Sequence, residues 1–590
     1  MGIFYLIDQS LKGLGGHHFD YTRLLTEAVK KAGGTVAVGC HRRFKSSDSL
    51  PDCDVRNVFR NTTYASCSSL VGIQDMVARR RPGLFGSIKN WFSSKRSVSQ
   101  SPADSSWQSS EQQNRVRAFK EDCDQFFSRP LTREDIVFLT TLSDLEADGL
   151  YQFIRSRPDA KLANWHLQFH FPIFRGRTPD YENQLGQSEY LVRTLRKLNT
   201  LAQTNIHFYV TSDNLRDQYE RTGFEFEELP YPINPELRGT GTLSQPQLFR
   251  LAFAGAIRDE KGGDQVPRLI DQFDSQIQSR IRLCVQKKRP KFLKRIRQWF
   301  VKESMPEQVV NIPYPLSATD YLDHIKNSDI GLLTTYDSET YFPRRAGILG
   351  EYLAAGVPVI VPAGSWLSDQ VEKCQRSYLR NLDSTFAPST IQPKTVSNQS
   401  TGKTVAVFDT NRIVQECHQQ KFVTGVVAFD VEKPNGHGNY FRVKLLPASR
   451  QVEAQSSIAA HAEQVVGFER DSQNSSNQIL VAFDLSKTDG EKLQIEISSA
   501  YGSAEWQIEN IRLRIFSSEQ VIPRSTVGLV ASNASQTSNL SKEMIEQYGH
   551  YKKSAVDFSE SWFEKHDPCL TFQTLINNSA LSISEKGQAA

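Results

Sequence analysis

Four short stretches of the 590-residue chain carry side chains that could do chemistry. "GAIRDEKGG" (255–263) opens on Gly255 and places Arg258 and Lys261 in a polar loop between the apolar run "LAFA" and a helical pattern beginning near Gln265. Two cations beside outward-pointing helix N–H groups suit an anionic ligand such as a phosphate, although an exposed polar turn has the same composition. "NWHLQFHF" (164–171) carries His166 and His170 four positions apart beside a strand end. A metal pair at that spacing needs further ligands, and no Glu accompanies it, so no metal site is expected. "LKGLGGHHFDYTRLL" (11–25) sets Gly15, Gly16, His17 and His18 ahead of an amphipathic pattern. Glycines there would let a ligand approach the backbone. Glu351 stands in a helical segment whose apolar side is Ile348, Leu349, Tyr352 and Leu353, ended by Gly356. It is either a ligand-binding carboxylate or a solvated helix residue.

The glycine loop is a poor dinucleotide fingerprint. His18 stands where G-x-G-x-x-G needs its third glycine, and "GCHRR" after the following strand lacks a ribose-binding acid. Those basic residues keep an NADP-dependent oxidoreductase as a remote alternative.

These residues need elements to hold them. Residues 2–8 form an apolar run suited to a strand buried on both faces, and Leu24, Leu25, Ala28 and Val29 follow at helical spacing before "TVAVG". That is a βαβ unit, and the same grammar continues through "DIVFLTTL" and "NIHFYVTS". Residues 1–240 therefore read as one α/β domain, interrupted at 84–127 by a Ser/Gln-rich stretch expected to be a mobile surface insertion. A second α/β set spans 241–375. From 376 to 524 short alternating segments such as "FVTGVVAFDVEK", "NYFRVKLLP" and "WQIENIRLRIF" predict an antiparallel β-sandwich. Residues 525–590 return to α/β texture and complete the second α/β domain with closing helices.

With 38% hydrophobic and 23% charged residues the chain is not a disordered polymer, and a net charge of +4 makes no global case for nucleic acid. Eight scattered cysteines without C-x-x-C pairs suit reduced thiols. Asp8 interrupts what would be a signal peptide's apolar region, so a cytoplasmic location is expected, peripheral to the inner face of the membrane.

Five stretches in chain order resemble the retaining glycosyltransferases of family 4, which have the GT-B fold: two Rossmann-like domains facing a cleft. They are "GLGGHHFDYTRLLTEAVKKAGGTVAVG", "HFYVTSDNLRDQYERTGFEFEELPYPINPE", "LAFAGAIRDEKGGDQVPRLIDQF", "GILGEYLAAGVPVIVPAG" and "VGLVASNASQTSNLSKEMIEQY". The resemblance implies transfer of a sugar from a nucleotide diphosphate to a glycan or lipid-linked acceptor, with retention and without a metal or permanently bound cofactor. It implies Arg258 and Lys261 as ligands of the departing diphosphate, with Gly255 in the same loop, and Glu351 as acceptor for the donor ribose hydroxyls. One of His166 and His170 is expected at the donor sugar, and His17 or His18 at the acceptor, while Gly15 and Gly16 let substrate come close. One departure is Pro343, where many relatives carry another Glu; the neighbouring Arg344 and Arg345 could instead bind phosphate or an acidic sugar. That departure keeps a catalytically inactive glycan-binding protein as the alternative.

Segments 83–96 and 287–304 each mix Lys and Arg with a Trp-Phe pair, which suits an anionic membrane surface. The β-domain resembles carbohydrate-binding jelly rolls, with Tyr440, Tyr501 and Trp506 as candidate sugar-stacking residues.

Overall fold

The computed structural model describes the chain except residues 1, 15, 80–108, 178–179, 202–204, 240, 242, 256–257, 263–264, 289–306, 315, 387, 400–401, 410–422, 433–439, 448–462, 468–477, 486–491, 502–506, 517–525 and 589–590. Gly15, Trp506, segment 83–96 and nearly all of 287–304 therefore lie outside the described residues. The chain divides into two compact units, residues 1–176, 180–234 and 564–590 in the first and 177–179 and 235–563 in the second.

The first unit is built on a parallel sheet of β1 (Ile3–Asp8), β2 (Thr35–His41), β3 (Asp54–Phe59), β4 (Ile136–Leu142), β5 (Asn164–Phe169), β6 (Asn205–Val210) and β7 (Glu227–Glu228). Its spatial order is 3-2-1-4-5-6-7, so the winding reverses between β1 and β4. Such reversal points open a crevice beyond the carboxyl ends of the strands, where ligands of doubly wound sheets bind. β1 and β4 are buried almost throughout, as the apolar runs require.

Two expectations are corrected here. Residues 84–127 are not a surface insertion throughout: Ser110–Phe126 is a helix that buries Val116, Phe119, Cys123 and Phe126. Its polar start "SSEQQ" is a capping box, in which Ser109 and Gln112 satisfy each other's backbone N–H groups. Residues 564–590 belong with the first unit rather than the second. The helix Pro568–Gln588 places Phe572 and Leu575 in the core formed by β1, β2 and the helix His17–Lys31. Phe572 meets Phe4 edge to face at 5.4 Å.

The second unit repeats the topology. Strands β8 (Phe249–Phe253), β9 (Ile281–Lys288), β10 (Val309–Tyr314), β11 (Ile330–Leu332), β12 (Val359–Pro362) and β22 (Gly528–Ala531) form a parallel sheet in the order 10-9-8-11-12-22. The reversal falls between β8 and β11. All other strands of this unit lie in chain order between β12 and β22, so a β-rich segment is inserted within one α/β sheet.

The insertion holds two antiparallel sheets, with orders 13-21-16-19 and 14-15-20-17-18, from β13 (Ser389–Ile391) through β14 (Thr395–Gln399), β15 (Lys403–Asp409), β16 (Thr424–Glu432), β17 (Tyr440–Pro447), β18 (Glu463–Gly467), β19 (Gln478–Asp484) and β20 (Lys492–Ser499) to β21 (Gln507–Phe516). Alternate residues of both sheets, among them Phe429, Val481 and Leu513 from one and Phe408, Phe441 and Ile495 from the other, enter one apolar core. The insertion starts later than the sequence suggested, because the helix Trp366–Thr385 runs past residue 376 on its own capping box at Ser365 and Ser368. That helix also seats the insertion: the Tyr440 hydroxyl donates to Asp369 at 2.8 Å, and the Gly467 N–H donates to Glu372 at 2.7 Å. Tyr440 is therefore buried against a helix, and Tyr501 lies beneath the Arg177 guanidinium at 4.1 Å.

Removing the Phe572 ring should leave a cavity beside β1 and cost about 3–5 kcal/mol. Phe572→Ala should accelerate amide exchange in β1 and β4 and leave β8, β11 and β12 unchanged; unchanged exchange in β1 would assign the helix elsewhere.

Candidate functional site

The loops that follow β8 and β11 flank the reversal point of the second sheet, and they carry Gly255, Arg258, Lys261, Arg344 and Arg345. After β8 the chain turns at Gly255, whose φ of +82° favours glycine. An added Cβ there would also lie 2.9 Å from the Lys261 Nζ. The Gly255 N–H donates to the buried Gln286 of β9 at 2.6 Å. A single 3-10 turn, Asp259–Lys261, then closes with the Lys261 N–H on the Arg258 carbonyl. Gly262 has φ +89°, and any Cβ on it would collide with Thr335 at 2.3 Å. The Thr335 hydroxyl donates to the Lys261 carbonyl at 2.9 Å, and the Asp337 N–H donates to the Glu260 carbonyl at 2.9 Å. The first loop is thereby fastened to the second. The helix expected from Gln265 is one turn, Gln265–Arg268.

Lys261 is the centre of this arrangement. Its ammonium lies 5.1 Å from the Tyr336 ring centroid and has no hydrogen bond or ion pair among the described residues. Burial pushes it down to about 8; Arg258 and Arg344 act in the same direction, and Glu260 and Glu351 oppose them. Arg258 pairs loosely with Glu260 at 3.5 Å. Tyr336 stacks against Tyr341 with centroids 4.9 Å apart, and the Arg344 guanidinium lies 5.6 Å from the Tyr341 ring. Tyr336 is 3% exposed, and its hydroxyl has no partner among the described residues. Arg344 has neither a hydrogen bond nor an ion pair among them. Three donors without an acceptor among the described residues lie at one reversal point; Lys261 and Arg344 are half-exposed, while the Tyr336 hydroxyl is buried, where donors are normally satisfied.

Glu351 is brought to the same place by its neighbour. It lies on the helix Gly347–Ala354, where the Tyr352 hydroxyl donates to the Ala252 carbonyl at 3.0 Å and receives the Ala254 N–H at 3.3 Å. That one phenol bolts the helix to the end of β8. Glu351 accepts from the Tyr321 hydroxyl at 2.5 Å. Arg345 points its guanidinium over Trp366 at 5.2 Å, toward the following helix.

The first unit treats its glycine loop differently. Gly16 caps the helix His17–Lys31 with φ +91°, and open space surrounds it. His18 Nδ1 lies 2.8 Å from Asp8 at the end of β1, and its Nε2 lies 3.0 Å from the Tyr64 hydroxyl. Burial disfavours the imidazolium, but Asp8 and Tyr64 outweigh it and push His18 up to about 10. His17 is exposed and stacks on His18 at 4.1 Å. His166 is fully buried, with Tyr209 and Ser579 on its two ring nitrogens at 3.0 and 2.9 Å, so its ring joins β5, β6 and the C-terminal helix. His170 is half-buried just past β5, with Nε2 at 2.6 Å from the Thr140 carbonyl. No three His, Cys, Asp or Glu side chains among the described residues could hold a metal ion.

Sequence reasoning missed Tyr336, Tyr341, Tyr321 and the positioning role of Tyr352. Tyr336 follows an apolar run and Tyr352 sits within one, where a tyrosine reads as core, while Tyr321 and Tyr341 stand in polar stretches that carry no local signal.

No protein-family model and no curated protein matches this sequence. Among solved structures the chain is similar to the alpha,alpha-trehalose 6-phosphate synthase of Burkholderia multivorans, at 11% identity and a TM-score of 0.37, covering 63% of this chain and 86% of that one. It is similar to WaaG, a glycosyltransferase involved in lipopolysaccharide biosynthesis, at 12% identity and a TM-score of 0.34, covering 63% and 84%. It is also similar to HepE of Anabaena in complex with UDP-glucose, at 11% identity and a TM-score of 0.33, covering 62% and 82%. Likenesses this distant assign no role to any residue here.

An anion at Lys261 favours the charged amine, so its binding must weaken once the free ammonium deprotonates. Affinity for inorganic pyrophosphate should hold up to about pH 8 and then fall by up to about tenfold per unit. Arg does not titrate, so Lys261→Arg should remove that fall, as isothermal calorimetry at constant ionic strength will record. A pH-independent affinity in the parent protein would dissociate Lys261 from the anion.

Proposed function

We propose that this chain is a retaining glycosyltransferase that moves a sugar from a nucleotide-diphosphate sugar to a glycan or lipid-linked acceptor. The observation that carries the reading is the set of partnerless donors, Lys261 Nζ, the Arg344 guanidinium and the Tyr336 hydroxyl, at the reversal point of a parallel sheet. A doubly wound sheet binds nucleotides at such points. The five motif-like stretches, in order, support the same class.

In this reaction the sugar becomes cationic while negative charge accumulates on the departing diphosphate. Lys261 and Arg258 stabilise that charge, the first from a water-poor position where its field is stronger. Glu351 accepts the ribose hydroxyls with a carboxylate that Tyr321 orients. Among the residues named here no carboxylate stands ready as a nucleophile, and the acceptor's proton passes to a donor phosphate oxygen on the same face. Positioning and charge stabilisation are then the protein's contribution. His17, His18 and Gly16 of the first unit are assigned to the acceptor, and His170, rather than the enclosed His166, to the donor sugar. The insertion is a jelly-roll-like β-sandwich in this reading, and the basic segments 83–96 and 287–304 bring the enzyme to an anionic membrane surface.

The test is thermal shift and turnover with a panel of nucleoside diphosphates and their sugars. One nucleoside diphosphate should stabilise the protein, and Arg258→Ala with Lys261→Ala should reduce turnover by at least about 10²-fold. Glu351→Ala should weaken the nucleoside diphosphate about tenfold and leave pyrophosphate unaffected. Stabilisation by none of the panel would defeat the proposal, and stabilisation without turnover would favour an inactive sugar-binding protein.

A further inference from the structure

We infer that the transferred sugar is acidic, and that Arg344 receives its carboxylate; this rests on the nucleotide-sugar reading above. Lys261 and Arg258 share the loop after β8, and together they suffice for a diphosphate. Arg344 comes from the other side of the reversal point, on the loop after β11 and three residues before the helix that carries Glu351. The nearby acids are already engaged: Glu260 faces Arg258, and Glu351 accepts from Tyr321. Neither pairs with Arg344, so its guanidinium stands half-buried on the Tyr341 ring with all its donors available.

The two cations are held apart by an aromatic spacer. Lys261 rests on Tyr336, Tyr336 stacks on Tyr341 at 4.9 Å, and Tyr341 carries Arg344. A diphosphate that meets Lys261 and Arg258 leaves Arg344, on the far side of the tyrosine pair, for a further anionic group of the same ligand. A hexuronate attached to the diphosphate carries such a group in its carboxylate. The planar guanidinium fork matches a carboxylate in two parallel hydrogen bonds, which a neutral hydroxymethyl group cannot offer. The guanidinium, half-exposed and unpaired among the described residues, keeps its donors open to such a ligand.

The full chain is titrated with matched pairs of nucleoside diphospho-hexuronate and nucleoside diphospho-hexose, and with the nucleoside diphosphate alone. The uronate should bind at least about tenfold more tightly than the neutral sugar. Arg344→Gln should abolish that preference, bringing uronate and neutral sugar to equal affinity, with the nucleoside diphosphate alone measured on the same variant as the reference. Arg344→Lys, which keeps the charge and loses the fork, should narrow the preference and serves if the glutamine variant does not fold. Equal affinity for the two sugars in the parent protein would overturn the inference while leaving the glycosyltransferase reading intact. So would a hexose 6-phosphate that binds the nucleotide-loaded protein only when Arg344 is present, since the extra anion would then belong to the acceptor. Binding of no nucleoside diphosphate would defeat the wider reading and this one together.

Discussion

A half-exposed ammonium that no described carboxylate pairs with directly is the constraint around which the second unit is arranged. Desolvating a charge is costly, and here Arg258 and Arg344 add to the cost while Glu260 and Glu351 relieve part of it. What holds Lys261 there is the fastening of its loop to the next: the Thr335 hydroxyl on its carbonyl, the Asp337 N–H on Glu260, and a glycine at 262 where no other residue fits against Thr335. An aromatic face at 5.1 Å supplies the modest attraction that a ring quadrupole offers a cation. The site is thus held in a charged, expectant state by backbone contacts that do not depend on the ligand.

The same fastening explains why the carboxylate and the cations of this site stay in register. Glu351 and the loop after β8 are separated by nearly one hundred residues, including β9, β10 and β11, yet Tyr352 touches both the carbonyl of Ala252 and the N–H of Ala254. The phenol is buried, so its two hydrogen bonds are worth more to the structure than an ordinary surface hydrogen bond. A rigid scaffold of this kind suits a reaction in which the protein's work is placement and electrostatics.

What was legible in the sequence follows from which signals are local. Strands β8, β16, β17 and β19 could be read because apolar runs and alternation lie within the segment itself. Arg258, Lys261 and Glu351 could be nominated as candidates because a loop between a strand and a helix, or a charge within an apolar helical pattern, is visible in a few residues, while the roles proposed for them came from the resemblance. Tyr336 and Tyr341 could not, because their role depends on which loop lies opposite. Strand order and the reversal points are equally non-local. The helix Ser110–Phe126 was obscured by its own polar start, which resembles a low-complexity tail until Val116, Phe119, Cys123 and Phe126 are counted on one face. The C-terminal helix was placed with its neighbours in the chain, since an apolar stripe does not name the sheet it will cover.

The two units share a winding order, yet their glycine loops end in opposite electrostatic states. In the first, the loop after β1 delivers a cation that is answered at once, His18 by Asp8 at 2.8 Å and by the Tyr64 hydroxyl at 3.0 Å. In the second, the loop after β8 delivers Lys261, which makes no ion pair or hydrogen bond among the described residues, and the loop after β11 adds Arg344. A closed pair can orient a neighbouring ring such as His17, but it offers no net charge to a diphosphate. An open pair of cations does. Topology alone would nominate both reversal points as ligand sites, because fold does not imply function. The distribution of counter-ions, read residue by residue, separates them: a neutralised pair stands at the first reversal point, and Lys261 and Arg344, unpaired among the described residues, at the second.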